Sequence, residues 1–294
     1  VETVGVIGCG LMGKGIVKNL LLHNYEVYVN DINETAVNEL VAIGAKKSET
    51  IEEMVLSIDT LILSLPSPPL IRDLVIEKVL PVMKTGGTIL DMSTNDVEMT
   101  RDLQKQASSK GIEFFDCPLS GGPAGAEAGT LTVMVGGNEE AFPSILPILE
   151  AVGETIEYVG QSGAGQTVKL CHNMVVGGVI GLLSEALLAG EKSGVDKQTM
   201  EKIFQKGSAQ TKVMDVFGSN IINNQFDDVK FSLSNLTKDM LLYRSLAEGN
   251  QTPTLASQSF YQLFQIALNQ GKGSADSTAV YELFTEISGK GVGA

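Results

Sequence analysis

The stretch "TVGVIGCGLMGKG" near the start of the chain admits few folds. A short apolar β-rich run meets Gly8, Gly10 and Gly13, spaced G-x-G-x-x-G, and a helical pattern follows at once. Glycines so placed permit a tight turn, close approach of the backbone to a bound group, and close packing of helix on strand. The helix N-terminus adds amides and the positive end of a dipole, which suit a pyrophosphate. Alone, the three glycines could simply make a tight turn. Their place between a strand and a helix favours dinucleotide binding, given an acid at the right distance. Asp31, at the end of "EVYVND", is such an acid. A carboxylate there accepts hydrogen bonds from ribose hydroxyls and repels a 2′-phosphate. The plainer alternative is a cap or turn residue before Asn33. No Lys or Arg follows until Lys46, so NAD is expected as the cofactor.

The alternation of strand and helix continues. "NETAVNELVAIG" reads as a helix from Asn33 or Glu34, "TLILSLP" as a strand, and Pro68 and Pro69 open a helix. "GTILDMS" is a strand, Asp96 to about Lys110 a helix, and "IEFFDCP" a strand. "TLTVMVGG" and "TIEYVG" add two strands around a helix near residues 139–149. Near-continuous apolar strands separated by helices indicate a parallel sheet covered on both faces. After Gly163 no strand is convincing, and four or five helical segments are separated at "GEKSGVD", "GNQTP" and "NQGKGSAD". The expected architecture is α/β: a Rossmann-type doubly wound sheet over residues 1–162, then an all-α domain over 163–294, joined by a long helix. "GKGVGA" reads as a frayed tail.

The net charge of −14 argues against nucleic acid or an anionic membrane surface as partner, since both reward basic patches. Cys9, Cys117 and Cys171 are odd in number and widely spaced, which favours reduced thiols over disulfides or zinc. No metal site is expected. The longest apolar stretch, Met174 to Leu183, is half the ~20 residues that a spanning helix needs. The sequence enters a strand almost at once, with no signal peptide visible before it. A soluble cytoplasmic protein is the expectation.

"GAGQTVKLCHNMVVGGVIGLLSEALLAG" reads as one long apolar helix with Lys169 near its head and Asn173 a turn later, on the same face. A buried ammonium is costly unless something pairs with it, and a cation at a helix start opposes the dipole. Either Lys169 reaches water or a salt bridge at the helix end, or its charge has a chemical role. Upstream, "FDCPLSGGPAGAEAGTL" joins two strands through a glycine-rich loop. Ser120 followed by Gly121 and Gly122 offers a hydroxyl and open backbone amides, which suit a carboxylate. A loop without a ligand is an equal reading of those residues alone.

Taken in order, the Gly8–Gly13 turn, "DCPLSGGPAGAEAGTL", "GAGQTVKLCHN" and "LTKDM" resemble the motifs of the 3-hydroxyacid (β-hydroxyacid) dehydrogenase family. That family includes 3-hydroxyisobutyrate dehydrogenases, tartronate semialdehyde reductases and glyoxylate/succinic semialdehyde reductases, and the resemblance spans essentially the whole chain. It implies hydride transfer between NAD and a short 3-hydroxy acid or its semialdehyde, with Lys169 as the catalytic acid/base. It implies Ser120, Gly121, Gly122 and Asn173 at the substrate. At the cofactor it implies Gly8, Gly10, Leu11, Met12, Gly13, Asn30, Asp31, Leu65, Pro66, Thr94 and Lys238. An ammonium at the carbonyl oxygen donates a proton or stabilises alkoxide charge as hydride arrives. In oxidation the same group must accept a proton, which desolvation favours.

The resemblance has departures. "KLCHN" places His172 beside Asn173, similar to the Lys-x-x-His-Asn of 6-phosphogluconate dehydrogenases. Their greater length and extra C-terminal helices are lacking, which argues against a phosphorylated sugar acid. His172 reads as a substrate contact or as a packed, hydrogen-bonded residue. Plant-type glyoxylate reductases carry Arg where Asp31 stands, so their NADP preference is not carried over. Imine reductases are a related class in which another residue usually replaces the lysine, and non-catalytic dehydrogenase-like modules lack it. Lys169 opposes both alternatives. The resemblance also implies a homodimer or homotetramer. Gly177, Gly178 and Gly181 lie inside the long helix, each costing ~1 kcal/mol against alanine, and are expected at a helix–helix or subunit contact. Cys171 is expected to be a small core residue, and Lys238–Asp239 reads, apart from the resemblance, as a surface pair.

Overall fold

The computed structural model describes residues 2–289; most of the expected frayed tail, from residue 290, lies outside the described residues. The chain divides into two compact units, Val1–Lys169 and Leu170–Ala294.

The first unit opens with β1 (Thr3–Ile7), α1 (Leu11–Leu22), β2 (Glu26–Asn30) and α2 (Glu34–Ala42). Asn33 starts α2 by accepting hydrogen bonds from the amides of Thr35 and Ala36. Two elements not anticipated from sequence follow: the two-residue β3 (Lys46–Lys47) and the single-face helix α3 (Ile51–Ser57). Then come β4 (Thr60–Leu63), α4 (Pro68–Leu74), β5 (Thr88–Asp91), α5 (Val97–Ser108) and β6 (Glu113–Asp116). Pro68 sits in the first turn of α4, where its missing amide costs nothing, and Asp96 caps α5 through the Met99 amide. The last part holds β7 (Leu119–Ser120), α6 (Gly122–Ala128), β8 (Leu131–Gly136), α7 (Phe142–Val152) and β9 (Gly153–Gly160).

The sheet runs β3-β2-β1-β4-β5-β6-β8-β7, with β9 added to β8. Its first six strands are parallel neighbours in the Rossmann order, and the order reverses between β1 and β4. One departure from the expected parallel sheet is that the chain reverses after β6: β8 pairs antiparallel with β6 and β7, and parallel with β9. Alternation along each strand explains why the strands read as continuous apolar runs. Val4, Val6, Ile62, Leu90 and Phe115 enter one core. Ile7, Leu61, Leu63, Ile89 and Phe114 enter the other. Each fully buried side chain contributes roughly 1.5–3 kcal/mol.

The second unit is helical, and its core begins on α8 (Ala164–Lys192), the helix that carries the chain across the boundary. It adds α9 (Lys197–Phe204), α10 (Lys212–Asn223), α11 (Leu233–Gly249), α12 (Leu255–Ala267) and α13 (Val280–Ile287). That makes six α-helices among the described residues after Gly163, against four or five expected. The count rises because the chain also breaks at 205–211, between α9 and α10, and at 224–232, between α10 and α11. By length and composition α8 is apolar enough to cross a membrane, yet 61% of its apolar window is buried within the protein. Its glycines explain part of this. A Cβ on Gly177 would lie 2.8 Å from Met240 Sδ, and one on Gly181 2.8 Å from the Phe260 ring. Gly177 and Gly181 therefore serve helix–helix packing against α11 and α12.

Candidate active site

The carboxyl edge of the sheet is shaped first by its glycines. Gly8 has φ +100°, and a Cβ there would lie 2.2 Å from the Ser64 carbonyl oxygen. A Cβ on Gly13 would lie 1.8 Å from the Gly8 carbonyl oxygen, so strand and helix meet at a distance only glycine allows. Gly10 differs: nothing lies within 4 Å of its Cβ position. It precedes Leu11 and Met12 at the head of α1, and no side chain caps that helix. Open space over an uncapped helix start fits a dinucleotide pyrophosphate.

Asp31 has two structural duties. Its Oδ2 accepts from the Cys9 amide at 2.6 Å, and its Oδ1 from the Asn33 amide at 2.7 Å. The carboxylate thus fixes the glycine turn from beside it while its remaining lone pairs stay available to a ribose. Burial, and then the Asp31 charge, push the Cys9 thiol up to about 12. Asn30 closes β2; its carbonyl accepts from the Gly8 amide and its side chain donates to Ser48. The lysines of β3 both sit on carboxylates, Lys46 on Glu26 and Lys47 on Glu34.

Leu65 and Pro66 follow the end of β4, which borders the order reversal, and Thr94 follows the end of β5 beside it. The Leu65 amide donates to Ser93 Oγ at 2.9 Å, and its side chain reaches within 3.3 Å of the Gly8 Cβ position. Ligands of open α/β sheets bind at this edge.

The glycine-rich segment after β6 is not a simple loop. Ser120 ends β7, Gly121 and Gly122 take φ +128° and +63°, and α6 begins at once. This corrects the expectation of an open connection between two strands. The helix forms because it docks on α1. A Cβ on Gly15 would lie 2.5 Å from Ala126 backbone, and Asn19 Nδ2 donates to the Ala126 carbonyl at 2.8 Å. Ser120 and its glycines are thereby tied to the helix that follows the Gly8–Gly13 turn.

Lys169 lies in the second turn of α8 and is 8% exposed, so it is not the solvated lysine of the plainer reading. The first turn of α8 is anchored by groups far away in sequence. Asp116 accepts from the amides of Gly163 at 2.8 Å and Gln166 at 2.9 Å. Gly165 permits this, because a Cβ there would lie 2.4 Å from the Met134 carbonyl oxygen. Burial raises the Asp116 carboxyl above its usual range. Burial also raises Asp91 to about 6, with bonds from Asn95 and Ser93 opposing that shift and the nearby Asp116 charge adding to it.

Four residues along the same helix, Asn173 belongs to the second unit. It is buried, and its Nδ2 donates to Asp239 Oδ2 at 2.7 Å. Lys238 Nζ stands 3.1 Å from Asp239 Oδ1, and His172 Nδ1 stands 3.0 Å from Asn173 Oδ1. Asp239 is 2% exposed, so Lys238–Asp239 is not a surface pair. Sequence reasoning gave Asp239 no part beyond that pair; its carboxylate accepts from the Asn173 amide and orients it. His172 is exposed though hydrogen-bonded. Cys171 is exposed too, correcting its assignment to the core, because it falls on the stripe of α8 that also exposes Val168, Val175 and Leu182. Partial burial holds its thiol above the usual value, which opposes thiolate chemistry.

Known proteins resemble this chain over nearly its whole length. Residues 3–160 match the family described as the NAD binding domain of 6-phosphogluconate dehydrogenase. Residues 163–284 match the NAD-binding family of NADP-dependent 3-hydroxyisobutyrate dehydrogenase. The chain is 34% identical to 2-(hydroxymethyl)glutarate dehydrogenase of Eubacterium barkeri, covering 98% of this chain and 97% of that one. It is 29% identical to an NAD-dependent L-serine dehydrogenase of Pseudomonas aeruginosa, over 98% of this chain and all of that one (100%). The solved structure of Mycobacterium tuberculosis 3-hydroxyisobutyrate dehydrogenase with L-serine superposes with a TM-score of 0.89 at 27% identity, covering 97% and 99% of the two chains. The chain belongs to the 3-hydroxyisobutyrate dehydrogenase family and is an NAD(P)-dependent hydroxyacid dehydrogenase.

Proposed function

We propose that the enzyme interconverts a short 3-hydroxy acid and its semialdehyde, with Lys169 as general acid/base. The observation that carries this is a buried lysine one turn after a helix start that is anchored to a strand end of the cofactor unit. A nicotinamide ring bound at the sheet edge supplies the acceptor or donor of hydride. In oxidation, neutral Lys169 takes the hydroxyl proton as the carbon's hydride leaves, and the oxygen becomes a carbonyl. In reduction, the Lys169 ammonium returns that proton to the oxygen. Ser120, Gly121 and Gly122 hold the substrate carboxylate, and Asn173, oriented by Asp239, is the further polar contact. Gly8 to Gly13, Asn30, Asp31, Leu65, Pro66 and Thr94 hold the cofactor, with Lys238 assigned to it by motif. The names of the relatives support the substrate class: 2-(hydroxymethyl)glutarate and L-serine both carry a hydroxymethyl on the carbon beside a carboxylate.

NAD is expected to be preferred over NADP by at least about tenfold in kcat/KM, a difference of ~1.4 kcal/mol. Asp31 opposes a 2′-phosphate, and Lys46 and Lys47 are already held by Glu26 and Glu34. A panel of 3-hydroxy acids and semialdehydes assayed with both cofactors tests the activity and the preference together. Asp31→Arg should shift efficiency toward NADP; equal use of both cofactors by the unaltered enzyme refutes the assignment. No turnover of any such acid refutes the substrate class.

The same reading includes a homodimer or homotetramer through the second unit. Gly177 and Gly181 no longer motivate it, since they pack within the chain. Exposed apolar side chains do: Val175 and Leu182 on α8, Leu241 on α11 and Leu255 on α12. Light scattering at micromolar concentration should give at least twice the 31.2 kDa chain mass; a monomer refutes the assignment. Three free cysteines fit a reducing, cytoplasmic setting.

A further inference from the structure

Gln166 is fully buried in the first turn of α8, three residues before Lys169 and on the same side of the helix. Its amide is held at both ends. Oε1 accepts from the Asn95 amide at 2.9 Å, and Nε2 donates to the Ser93 carbonyl at 2.9 Å. These two partners flank Thr94. Ser93 in turn accepts the Leu65 amide through Oγ at 2.9 Å, and Asn95 Nδ2 donates to Asp91 Oδ2 at 2.9 Å. Through Ser93 and Asn95, one side chain therefore links the ends of β4 and β5 to the helix turn that leads into Lys169.

A buried glutamine is a costly way to fill space, because its amide must be desolvated. An apolar side chain of similar volume would hold two elements together equally well. What the amide adds is direction: one donor and one acceptor fit in a single orientation, and a satisfied polar network specifies one arrangement. Asp116 restrains the same turn from the β6 side through the Gly163 and Gln166 amides. Together these bonds leave the first turn of α8 little freedom to rotate or slide against the strand ends.

We propose that Gln166 is a positioning residue, whose clamp on Ser93 and Asn95 sets the place of the Lys169 amino group relative to the cofactor edge at Leu65 and Thr94. The proposal rests on Lys169 as the acid/base. Gln166 touches neither substrate nor cofactor in this role; it acts through the helix. A displacement of about 1 Å at a reacting group costs on the order of 100-fold.

The test is a double-mutant cycle of Gln166→Leu with Lys169→Ala. Gln166→Leu alone should lower kcat about 10- to 100-fold, while substrate KM and NAD affinity change by less than about threefold. Added to Lys169→Ala, it should reduce the residual turnover by less than about twofold, because the group it positions is already gone. An inactive Lys169→Ala beside an undiminished Gln166→Leu overturns the proposal and leaves the lysine's role standing. So does a full additional loss in the Lys169→Ala background, which would place the effect of Gln166 elsewhere. A fully active Lys169→Ala overturns the lysine's role and this proposal with it. Should Gln166→Leu fail to fold, Gln166→Glu keeps the size and the acceptor for Asn95 and loses the bond to the Ser93 carbonyl. It too should lower kcat at nearly constant KM, and an unchanged kcat overturns the proposal.

Discussion

Lys169→Ala is expected to lower kcat by about three orders of magnitude or more, with NAD affinity changed by less than about threefold. General acid/base catalysis by a positioned side chain contributes typically 10²–10⁴-fold. A cation placed at a developing alkoxide adds electrostatic stabilisation in a site with little water. The 8% exposure of Lys169 supports both contributions, since a screened ammonium would supply little of either. Alanine removes proton donor and charge together, whereas the glycine turn and Asp31, proposed to receive the dinucleotide, are untouched. Steady-state kinetics in both directions, with NADH binding followed by fluorescence, separate these effects. Lys169→Arg sharpens the result: arginine keeps the charge but does not give up its proton. It should lose oxidation nearly as completely as alanine does. A Lys169→Ala enzyme with more than about a tenth of normal kcat removes the lysine from the mechanism.

What could be read from sequence follows the range of the interactions involved. Gly8, Gly10, Gly13 and Asp31 are set by local backbone geometry within one strand–turn–helix–strand unit, so spacing alone located them. The caps Asn33 and Asp96 were legible for the same reason. β3 and α3 were not, because two exposed lysines and a seven-residue helix leave almost no periodic signal. α6 was hidden by its composition: glycine disfavours helix, and only docking through Gly15 and Asn19 on α1 outweighs that. Cys171 sits among apolar neighbours in the chain, but the helix turns it outward. The residues that orient Lys169 and Asn173 are beyond any local pattern. Asp116 meets Gly163 across 47 positions, Gln166 meets Asn95 across 71, and Asn173 meets Asp239 across 66. Sequence motifs marked the groups proposed to do chemistry; the fold was needed to find those that hold them.

A neutral analogue of the substrate should lose about 100-fold or more in kcat/KM when the acid is compared with its amide or methyl ester. The expectation comes from the Ser120–Gly121–Gly122 segment. Ser120 offers a hydroxyl at the end of β7, and Gly121 and Gly122 turn the backbone through positive φ into the uncapped start of α6. Side chains there would meet strain, and a Cβ on Gly121 would also press within 3.1 Å of Leu131 Cδ2. Backbone amides and a hydroxyl converging on a carboxylate make charge-assisted bonds, each worth roughly 1.5–3 kcal/mol. Losing the charge weakens at least two of them, and ~1.4 kcal/mol corresponds to tenfold. On the proposed reading, with the carboxylate held there and the hydroxyl at Lys169, the substrate is a 3-hydroxy acid, its carboxyl one carbon removed from the hydroxyl-bearing carbon. Acids such as 3-hydroxyisobutyrate, 3-hydroxypropionate, serine or glycerate meet that requirement; their amides meet the geometry but not the charge. Ser120→Ala should raise KM for the acid about tenfold and leave NAD affinity nearly unchanged, and it should narrow the gap between acid and amide. Equal turnover of acid, amide and ester would mean that this segment does not read a carboxylate, and the substrate class would then have to be sought among neutral alcohols.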